Sequence, residues 1–142
     1  MRIMIDTNVL ISMIFFPNEQ MNKLKRIICD KCYIVLCSYV IEELQCVVER
    51  KFKAMSIALD IFLESLPYEL VYTPKFFDIN KYPQVRDKKD APILVTAILE
   101  DIDILLTGDR DFSPVEIERP EIMTPAMFIK KYWEFPNVSN KV

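Results

Sequence analysis

The sequence predicts an α/β fold of three layers, in which helices cover both faces of a central parallel sheet of four or five strands. Short, wholly apolar runs alternate along the chain with longer segments whose apolar residues recur at helical spacing. Wholly apolar strands are typical of parallel sheets, because the connecting helices bury both faces. The chain has 142 residues, 51% of them apolar, which suffices for one core. We therefore expect a single domain over residues 1–142.

Five short runs rich in apolar residues are predicted to be strands. They are residues 3–5, 33–37, 69–72, 104–106 and 122–124. The first run ends at Asp6, the second at Ser38, and the fourth leads into Asp109. In parallel sheets, ligands bind beyond the carboxyl ends of the strands. These polar residues are therefore the first candidates for a functional site.

Helical spacing of apolar residues, together with the prolines, predicts the helices between the strands. They are residues 7–16, 20–30, 38–51, 56–66, 90–101 and 125–132. Pro17 and Pro67 end the first and fourth helices, and Pro125 suits the first turn of the last. Ser38 is expected to cap the third helix. Residues 74–89 are predicted to be a loop or broken helix, and the final residues are expected to fray.

Composition restricts the chemistry that the chain can perform. The absence of histidine excludes Ser-His-Asp and Cys-His catalysis and histidine-ligated metal sites. A single glycine argues against glycine-rich phosphate loops. Acid–base or metal chemistry must then use carboxylates, of which there are 21 against 18 lysines and arginines. Because nucleic-acid binders usually have a basic surface, binding to nucleic acid would require an acidic centre with a local basic rim.

The cysteines and the N-terminus indicate the compartment. Cys29 and Cys32 form a CxxC motif, which occurs in zinc and redox sites. The irregular spacing to Cys37 and Cys46 and the lack of histidine favour reduced thiols in an intracellular protein. Asp6 interrupts the apolar N-terminal stretch, and no apolar run approaches the roughly 20 residues of a membrane helix. We expect no signal peptide, no membrane partner and a cytoplasmic location.

Asp6 is the first candidate for a metal ligand, because it stands directly after a buried strand. A carboxylate at that position can hold a hard cation in the crevice at the sheet edge. The alternative is structural, since Asp6, Thr7 or Asn8 could each cap the helix that follows. The two roles are compatible if Asp6 lies in the site and Thr7 or Asn8 holds the turn.

Helix geometry separates Glu43 from its neighbour Glu42. Each helical residue turns by about 100°. One apolar face is thereby formed by Val40, Ile41, Leu44, Val47 and Val48. Glu42 is expected to project into solvent. Glu43 lies at the rim of the apolar face, so its carboxylate is directed toward the sheet edge.

Two further pairs of acids complete the candidate cluster. Asp87 and Asp90 open the fifth predicted helix, where they could instead serve as a cap and suit the helix dipole. Asp109 and Asp111 follow the fourth strand, where the alternative is a surface turn. Crowded carboxylates repel each other, and a bound cation relieves that repulsion. Ligand oxygens without nitrogen or sulfur favour Mg²⁺ or Mn²⁺, which can assist phosphoester hydrolysis.

Four motifs together resemble the PIN-domain family, and more narrowly the PIN toxins of prokaryotic toxin–antitoxin modules. They are Asp6-Thr-Asn8, Ser38-x-x-x-Glu-Glu43-Leu, Asp87-x-x-Asp90 followed by Ile93-Leu94, and Leu106-Thr-Gly-Asp109-x-Asp111. In this order they extend over nearly the whole chain. The resemblance implies a metal-dependent endoribonuclease that is directed at single strands and built on a parallel α/β/α sheet.

The resemblance also implies roles for individual residues. The implied catalytic acids are Asp6, Glu43, Asp90 and Asp109. Asp6, Asp90 and Asp109 would bind Mg²⁺ or Mn²⁺, with Asp111 as a further ligand. Asn8 would orient Asp6 or a water on the metal, and Asp87 would support the site. The implied partners are an RNA substrate, an antitoxin whose tail fills the site, and a second copy of the chain in a homodimer.

Basic residues next to the acids in sequence are the predicted contacts to RNA phosphates. They are Arg86, Lys88, Lys89 and Arg110. The group Lys23, Lys25 and Arg26 is a poorer candidate, and each of these residues can also be a solvated surface charge.

Two alternative functions stay open. One is a degenerate PIN fold that binds RNA or protein without catalysis. The other is a phosphatase of the haloacid-dehalogenase type with Asp6 as nucleophile. That chemistry requires a second aspartate two residues on, where this chain has Asn8.

Overall fold

The computed structural model of the protein describes residues 1–133. Its strands are β1 (Arg2–Ile5), β2 (Tyr33–Cys37), β3 (Tyr68–Val71), β4 (Ile104–Leu106) and β5 (Glu121–Met123). Its α-helices are α1 (Thr7–Phe15), α2 (Glu19–Lys31), α3 (Ser38–Lys51), α4 (Ser56–Ser65), α5 (Ala91–Leu99) and α6 (Pro125–Tyr132). The final residues, which were expected to fray, lie outside the described part of the chain.

The five strands form one parallel sheet in the order β3-β2-β1-β4-β5. β1 lies at its centre, where Ile3 pairs with Ile34 of β2 on one side and with Ile104 of β4 on the other. The chain first builds outward from β1 to β3 and then crosses to β4, so the strand order reverses between β1 and β4. A crevice for ligands forms at such a reversal. The predicted three-layer α/β/α fold with a parallel sheet is confirmed, with five strands.

The core lies around the central strands. β1 and β4 are buried along nearly their whole length, from Ile3 to Ile5 and from Ile104 to Leu106. Strands this apolar can be buried only where helices cover both faces, and the helices supply that cover. Within residues 1–133, no helix combines the length and apolar character needed to cross a membrane.

Strand pairing shifts two predicted strands by one residue toward the N-terminus. β3 begins at Tyr68, which pairs with Ile34, and it ends at Val71. β5 begins at Glu121, whose N–H donates to the carbonyl of Asp103 just before β4. These hydrogen bonds are made between segments distant in sequence, so the local apolar pattern does not place the strand ends.

The predicted capping role of Ser38 is wrong. Cys37 occupies the cap position of α3, where its side chain makes no capping hydrogen bond, while Ser38 is the first helical residue. The Ser38 hydroxyl instead accepts a hydrogen bond of 3.0 Å from the N–H of Thr73, in the loop after β3. A contact between segments 35 positions apart thus takes the oxygen that a cap would have used.

The segment before α5 is more finely divided than predicted. The predicted loop over residues 74–89 contains a 3-10 helix at Ile79–Lys81, and a second one, Lys88–Asp90, precedes α5. Asp87 caps that second helix by accepting a hydrogen bond from the N–H of Lys89. Asp90 therefore ends a 3-10 turn, and α5 begins one residue later than predicted, at Ala91.

Candidate active site

A cleft of about 540 Å³ opens where the sheet order reverses. Asp6 lines it from the end of β1 and Asp109 from the turn after β4, while Glu43 reaches it from α3. Asp90 completes the cluster from the 3-10 helix before α5. Four acids that are widely separated in sequence therefore share one cleft.

Asp6 is tied to both sides of the reversal point. It stands at the N-cap position of α1, and its Oδ1 accepts a hydrogen bond of 2.7 Å from the N–H of Thr7. Its Oδ2 accepts a bond of 2.7 Å from the hydroxyl of Thr107. The N–H of Asp6 donates to the carbonyl of Leu106 at 3.0 Å, which joins it to β4. Asp6 is thus both the capping residue of α1 and a residue of the site.

The environment of Asp6 opposes ionisation of its carboxyl. The side chain is buried, with 3% of its surface exposed. Burial raises its pKa above the ordinary value, and the charges of Glu43 and Asp109 add to that shift, although the hydrogen bonds from Thr107 and Thr7 oppose it. A cation in the cleft would remove this penalty.

Glu43 is half-buried and lines the cleft, whereas Glu42 is exposed. Both observations agree with the orientation that helix periodicity predicts. The hydroxyl of Thr7 donates a hydrogen bond of 2.5 Å to Oε1 of Glu43. Thr7 therefore bridges Asp6, through its backbone, and Glu43, through its side chain.

The carboxyl of Asp90 has a strongly raised pKa. Burial raises its pKa to about 7, and the nearby charges of Asp109, Asp6, Asp87 and Asp111 act in the same direction. A carboxyl surrounded by four others is costly to ionise unless a cation is present. Perturbed groups of this kind gather at functional sites.

The turn after β4 holds Asp109 through two hydrogen bonds. The N–H of Asp109 donates to the hydroxyl oxygen of Thr107 at 3.0 Å. Oδ1 of Asp109 accepts from the N–H of Asp111 at 2.8 Å, which caps a 3-10 helix at Arg110–Phe112. The surface turn proposed as an alternative is therefore present, and its capping residue lines the cleft.

Asp87, Asp90 and Asp111 form a second grouping next to the cleft. Within residues 1–133 their carboxylate oxygens lie within 4.8 Å of one another. Asp111 is paired with Arg86 at 2.6 Å, and this guanidinium lowers the pKa of Asp111. Oxygen donors at this spacing suit a hard divalent cation. Asp90 belongs to both groupings and joins them into one acidic centre.

The other predicted support, Asn8, is exposed on the wall of the cleft. The hydrogen bonds that orient Asp6 come from Thr7 and Thr107. Thr107 was not predicted as a site residue, because a threonine before glycine after a strand is also typical of an ordinary turn. Tyr39 was also missed; its hydroxyl donates to the carbonyl of Lys89 at 2.8 Å and so ties α3 to the segment that carries Asp90.

The predicted phosphate contacts are divided among different surroundings. Lys89 lines the cleft. Arg86 is engaged by Asp111, both through its side chain and through its backbone N–H. Lys88 lines a separate cavity of about 310 Å³, and Arg110 is exposed in the turn beside Asp109.

The poorer candidates lie on α2, outside the residues that line the cleft. Lys23 pairs with Glu19 at 3.5 Å, and Lys25 stands over the ring of Phe62. Arg26 is exposed.

Two cations that line the cleft, Arg50 and Lys51, were missed by sequence reasoning. Helical spacing could have found them. Arg50 stands seven residues after Glu43, which returns a helix to nearly the same angle after two turns. Both residues also lie in the last turn of α3, where cations interact favourably with the helix dipole. Their position is therefore explained without a role in the site.

All four cysteines are free thiols. Cys29 and Cys32 lie at the end of α2, and Cys37 is buried at the end of β2. Cys46 is exposed on α3 and lines the cleft.

Comparisons with known proteins identify the family. A sequence profile described as PIN domain matches residues 2–111, which include every acid of the cleft. Among solved structures, one chain of VapBC2 from Rickettsia felis bound to a DNA fragment from their promoter is similar, with a TM-score of 0.68. The identity is 20%, and the match covers 87% of this chain and 98% of that one, which shows a shared fold. No curated protein matches significantly. The profile covers well over half of the sequence, and the chain therefore belongs to the PIN-domain family.

Proposed function

We propose that the protein is a metal-dependent endoribonuclease that hydrolyses RNA phosphodiester bonds, with residues 1–142 as one nuclease domain. The observation that carries the proposal is the convergence of Asp6, Glu43, Asp90 and Asp109 on one cleft. PIN domains are generally nucleases, which supports the same conclusion. Membership of this family also disfavours the phosphatase alternative, whose second aspartate is replaced by Asn8.

The residues of the cleft fit a divalent cation. The donor atoms are carboxylate oxygens, and the burial of Asp6 and the raised pKa of Asp90 both favour a bound positive charge. Asp6, Asp90 and Asp109 would hold Mg²⁺ or Mn²⁺, with Asp111 as a further ligand. When bound, the ion supplies Lewis-acid stabilisation of the charge that develops on the phosphate oxygens.

The chain itself positions the reacting groups. Thr7 and Thr107 fix Asp6 by one hydrogen bond to each oxygen. Each oxygen keeps a second lone pair, so Asp6 retains capacity for a ligand. Glu43, oriented by Thr7, would ligate the metal or position the water that attacks the phosphodiester in line. Such preorganisation saves rearrangement at the moment of reaction.

We further propose that the protein is the toxin of a toxin–antitoxin module, acts in the cytoplasm, and forms homodimers. The choice of RNA as substrate comes from the resemblance to PIN toxins. The similarity to a chain of the VapBC2 complex supports a protein partner. A gene for a small DNA-binding protein directly upstream, whose product copurifies with this chain, would support the toxin role. Copurification of no such product would count against it.

The test of the nuclease proposal is cleavage of a panel of RNAs by purified protein with Mg²⁺ or Mn²⁺, compared with Asp6→Asn and with EDTA. We expect cleavage by the wild type alone and only with metal present. Circular dichroism and thermal melting verify that Asp6→Asn is folded. Equal cleavage by Asp6→Asn would contradict the proposal, and the absence of both cleavage and Mn²⁺ binding would favour the non-catalytic scaffold.

A further inference from the structure

Three cations stand on the wall of the acidic cleft. Arg50 and Lys51 come from the last turn of α3, and Lys89 comes from the 3-10 helix before α5. Within residues 1–133, none of the three has a carboxylate within the 4.0 Å of an ion pair. Arg86 differs, because Asp111 occupies its guanidinium at 2.6 Å. The three cations therefore keep their charge available for an anion that enters the cleft.

The same wall carries an apolar surface. Ile11 of α1, Val47 of α3 and Phe52, which ends α3, all line the cleft and are partly exposed. The ring of Phe52 stacks on Phe15 with centroids 5.0 Å apart. It also meets the ring of Phe16 edge-on at 6.0 Å. These contacts fix the apolar surface beside the cations.

The chemistry of this wall suits one kind of ligand. Single-stranded nucleic acid offers phosphates spaced along a backbone and unpaired bases with flat apolar faces, and its binding sites combine cations with apolar or aromatic platforms. A duplex keeps its bases stacked inside. An acidic peptide such as polyglutamate offers anions but no flat apolar face to cover Ile11, Val47 and Phe52. The apolar surface next to the three cations therefore favours a single strand.

We propose that one wall of the cleft forms the track that binds the substrate strand. The track consists of Ile11, Val47, Arg50, Lys51, Phe52 and Lys89. Arg50, Lys51 and Lys89 bind the phosphates that flank the scissile one. An unpaired base docks on Ile11, Val47 and Phe52. The inference rests on the proposed nuclease function for the identity of the scissile bond, and it adds the residues that select a single strand.

The direct test is binding of a short, fluorescein-labelled, single-stranded 2′-O-methyl oligoribonucleotide, which resists cleavage, by fluorescence anisotropy over a series of salt concentrations. The double variant Arg50→Gln/Lys51→Gln is compared with the wild type. We expect weaker binding and a slope of log Kd against log salt that is smaller by about 1.4, because each phosphate contact to a single strand contributes about 0.7.

Two controls separate this effect from general charge and from misfolding. Lys81→Gln/Lys130→Gln removes two exposed lysines that do not line the cleft, and we expect its salt slope to equal that of the wild type. Arg50→Lys/Lys51→Arg keeps both charges, so the slope should also be preserved. Thermal melting of each variant verifies the fold.

The docking of a base on the apolar surface is tested by changing the oligonucleotide instead of the protein. Abasic residues are placed at successive positions of the oligonucleotide. We expect the wild type to lose affinity by about 5- to 150-fold at one position, the range for a stacked base. Phe52→Leu, which retains an apolar side chain against Phe15, should show a smaller loss at that position.

The inference and the nuclease proposal fail in different ways. An unchanged salt slope in Arg50→Gln/Lys51→Gln would overturn the inference even if the wild type cleaves RNA. The inference would also be overturned if no abasic oligonucleotide bound more weakly than the unmodified one. Tighter binding of a polyglutamate peptide than of the oligonucleotide would overturn it in favour of a protein ligand. Metal-independent cleavage by the wild type, or no cleavage at all, would instead contradict the nuclease proposal.

Discussion

The hydroxyl of Thr107 donates a hydrogen bond of 2.7 Å to Oδ2 of Asp6, across 101 positions of sequence. The same hydroxyl oxygen accepts from the N–H of Asp109 at 3.0 Å. Thr107 and Asp6 are both buried. One threonine thus sets the relative position of two acids of the cleft, which follow neighbouring parallel strands of the sheet.

Replacing Thr107 with valine should damage the site without changing its shape. The methyl group has nearly the volume of the hydroxyl but leaves Oδ2 of Asp6 and the N–H of Asp109 without their partner. We expect Mn²⁺ to bind about 10- to 100-fold more weakly, the usual effect of losing a group that orients a metal ligand. Calorimetric titration with Mn²⁺ measures the change. Thr107→Ser, which keeps the hydroxyl, should bind almost as well as the wild type. Equal affinity in Thr107→Val would show that the contact is dispensable.

The adjacent glutamates of α3 provide a matched pair for the catalytic assay. Glu43 lines the cleft and accepts from Thr7, whereas Glu42 is exposed. We expect Glu43→Gln to reduce the rate of RNA cleavage by about 100-fold or more, the range for a lost acid–base group. Glu42→Gln should stay within about twofold of the wild type, as is usual for surface substitutions. The measurement is the initial rate with saturating Mn²⁺. A larger effect of Glu42→Gln would mean that the helix presents the opposite face.

Asp90 should make the metal-free protein less stable as pH rises from about 4 to about 7. Burial and neighbouring carboxylates raise the pKa of Asp90 to about 7, from an ordinary value of 3.8. Between these values the carboxyl of Asp90 binds more protons in the folded state than in the unfolded state, so its contribution to the free energy of unfolding decreases with increasing pH. Urea titrations in EDTA at several pH values measure this slope.

Asp90→Asn supplies the control for this pH dependence. The amide cannot ionise, so the loss of stability between pH values of about 4 and about 7 should be smaller than in the wild type. At neutral pH, Mn²⁺ should stabilise the wild type more than Asp90→Asn, because binding is linked to folding. A slope that is identical in the two proteins would indicate that Asp90 does not titrate in this range.

The ion pair between Arg86 and Asp111 limits the charge available to a metal. Nε of Arg86 lies 2.6 Å from Oδ1 of Asp111, whose oxygens are close to those of Asp87 and Asp90. Arg86→Met keeps the stem and removes the charge, so we expect Mn²⁺ to bind severalfold more tightly. Arg119→Met, which breaks the pair with Asp103 outside the cleft, should leave the affinity unchanged. Weaker binding in Arg86→Met would show instead that Arg86 positions Asp111.

The fold class was predictable from the sequence because it depends on local patterns. Wholly apolar runs such as residues 104–106 are compatible with few environments other than a strand covered on both faces. The candidate acids Asp6 and Asp109 followed from the rule that ligands bind beyond strand ends. Glu43 was separated from Glu42 by helix periodicity alone. Each of these inferences needs only residues that are near one another in the chain.

Only the tertiary structure decided how these parts meet. The strand order places β1 beside β4 and so brings Asp6 to Thr107. The same folding places the hydroxyl of Ser38 where it accepts from the N–H of Thr73, and it pairs the guanidinium of Arg86 with Asp111. A hydrogen bond or an ion pair depends on separation in space. The local sequence therefore determines which groups are available, and chain topology determines which of them become partners.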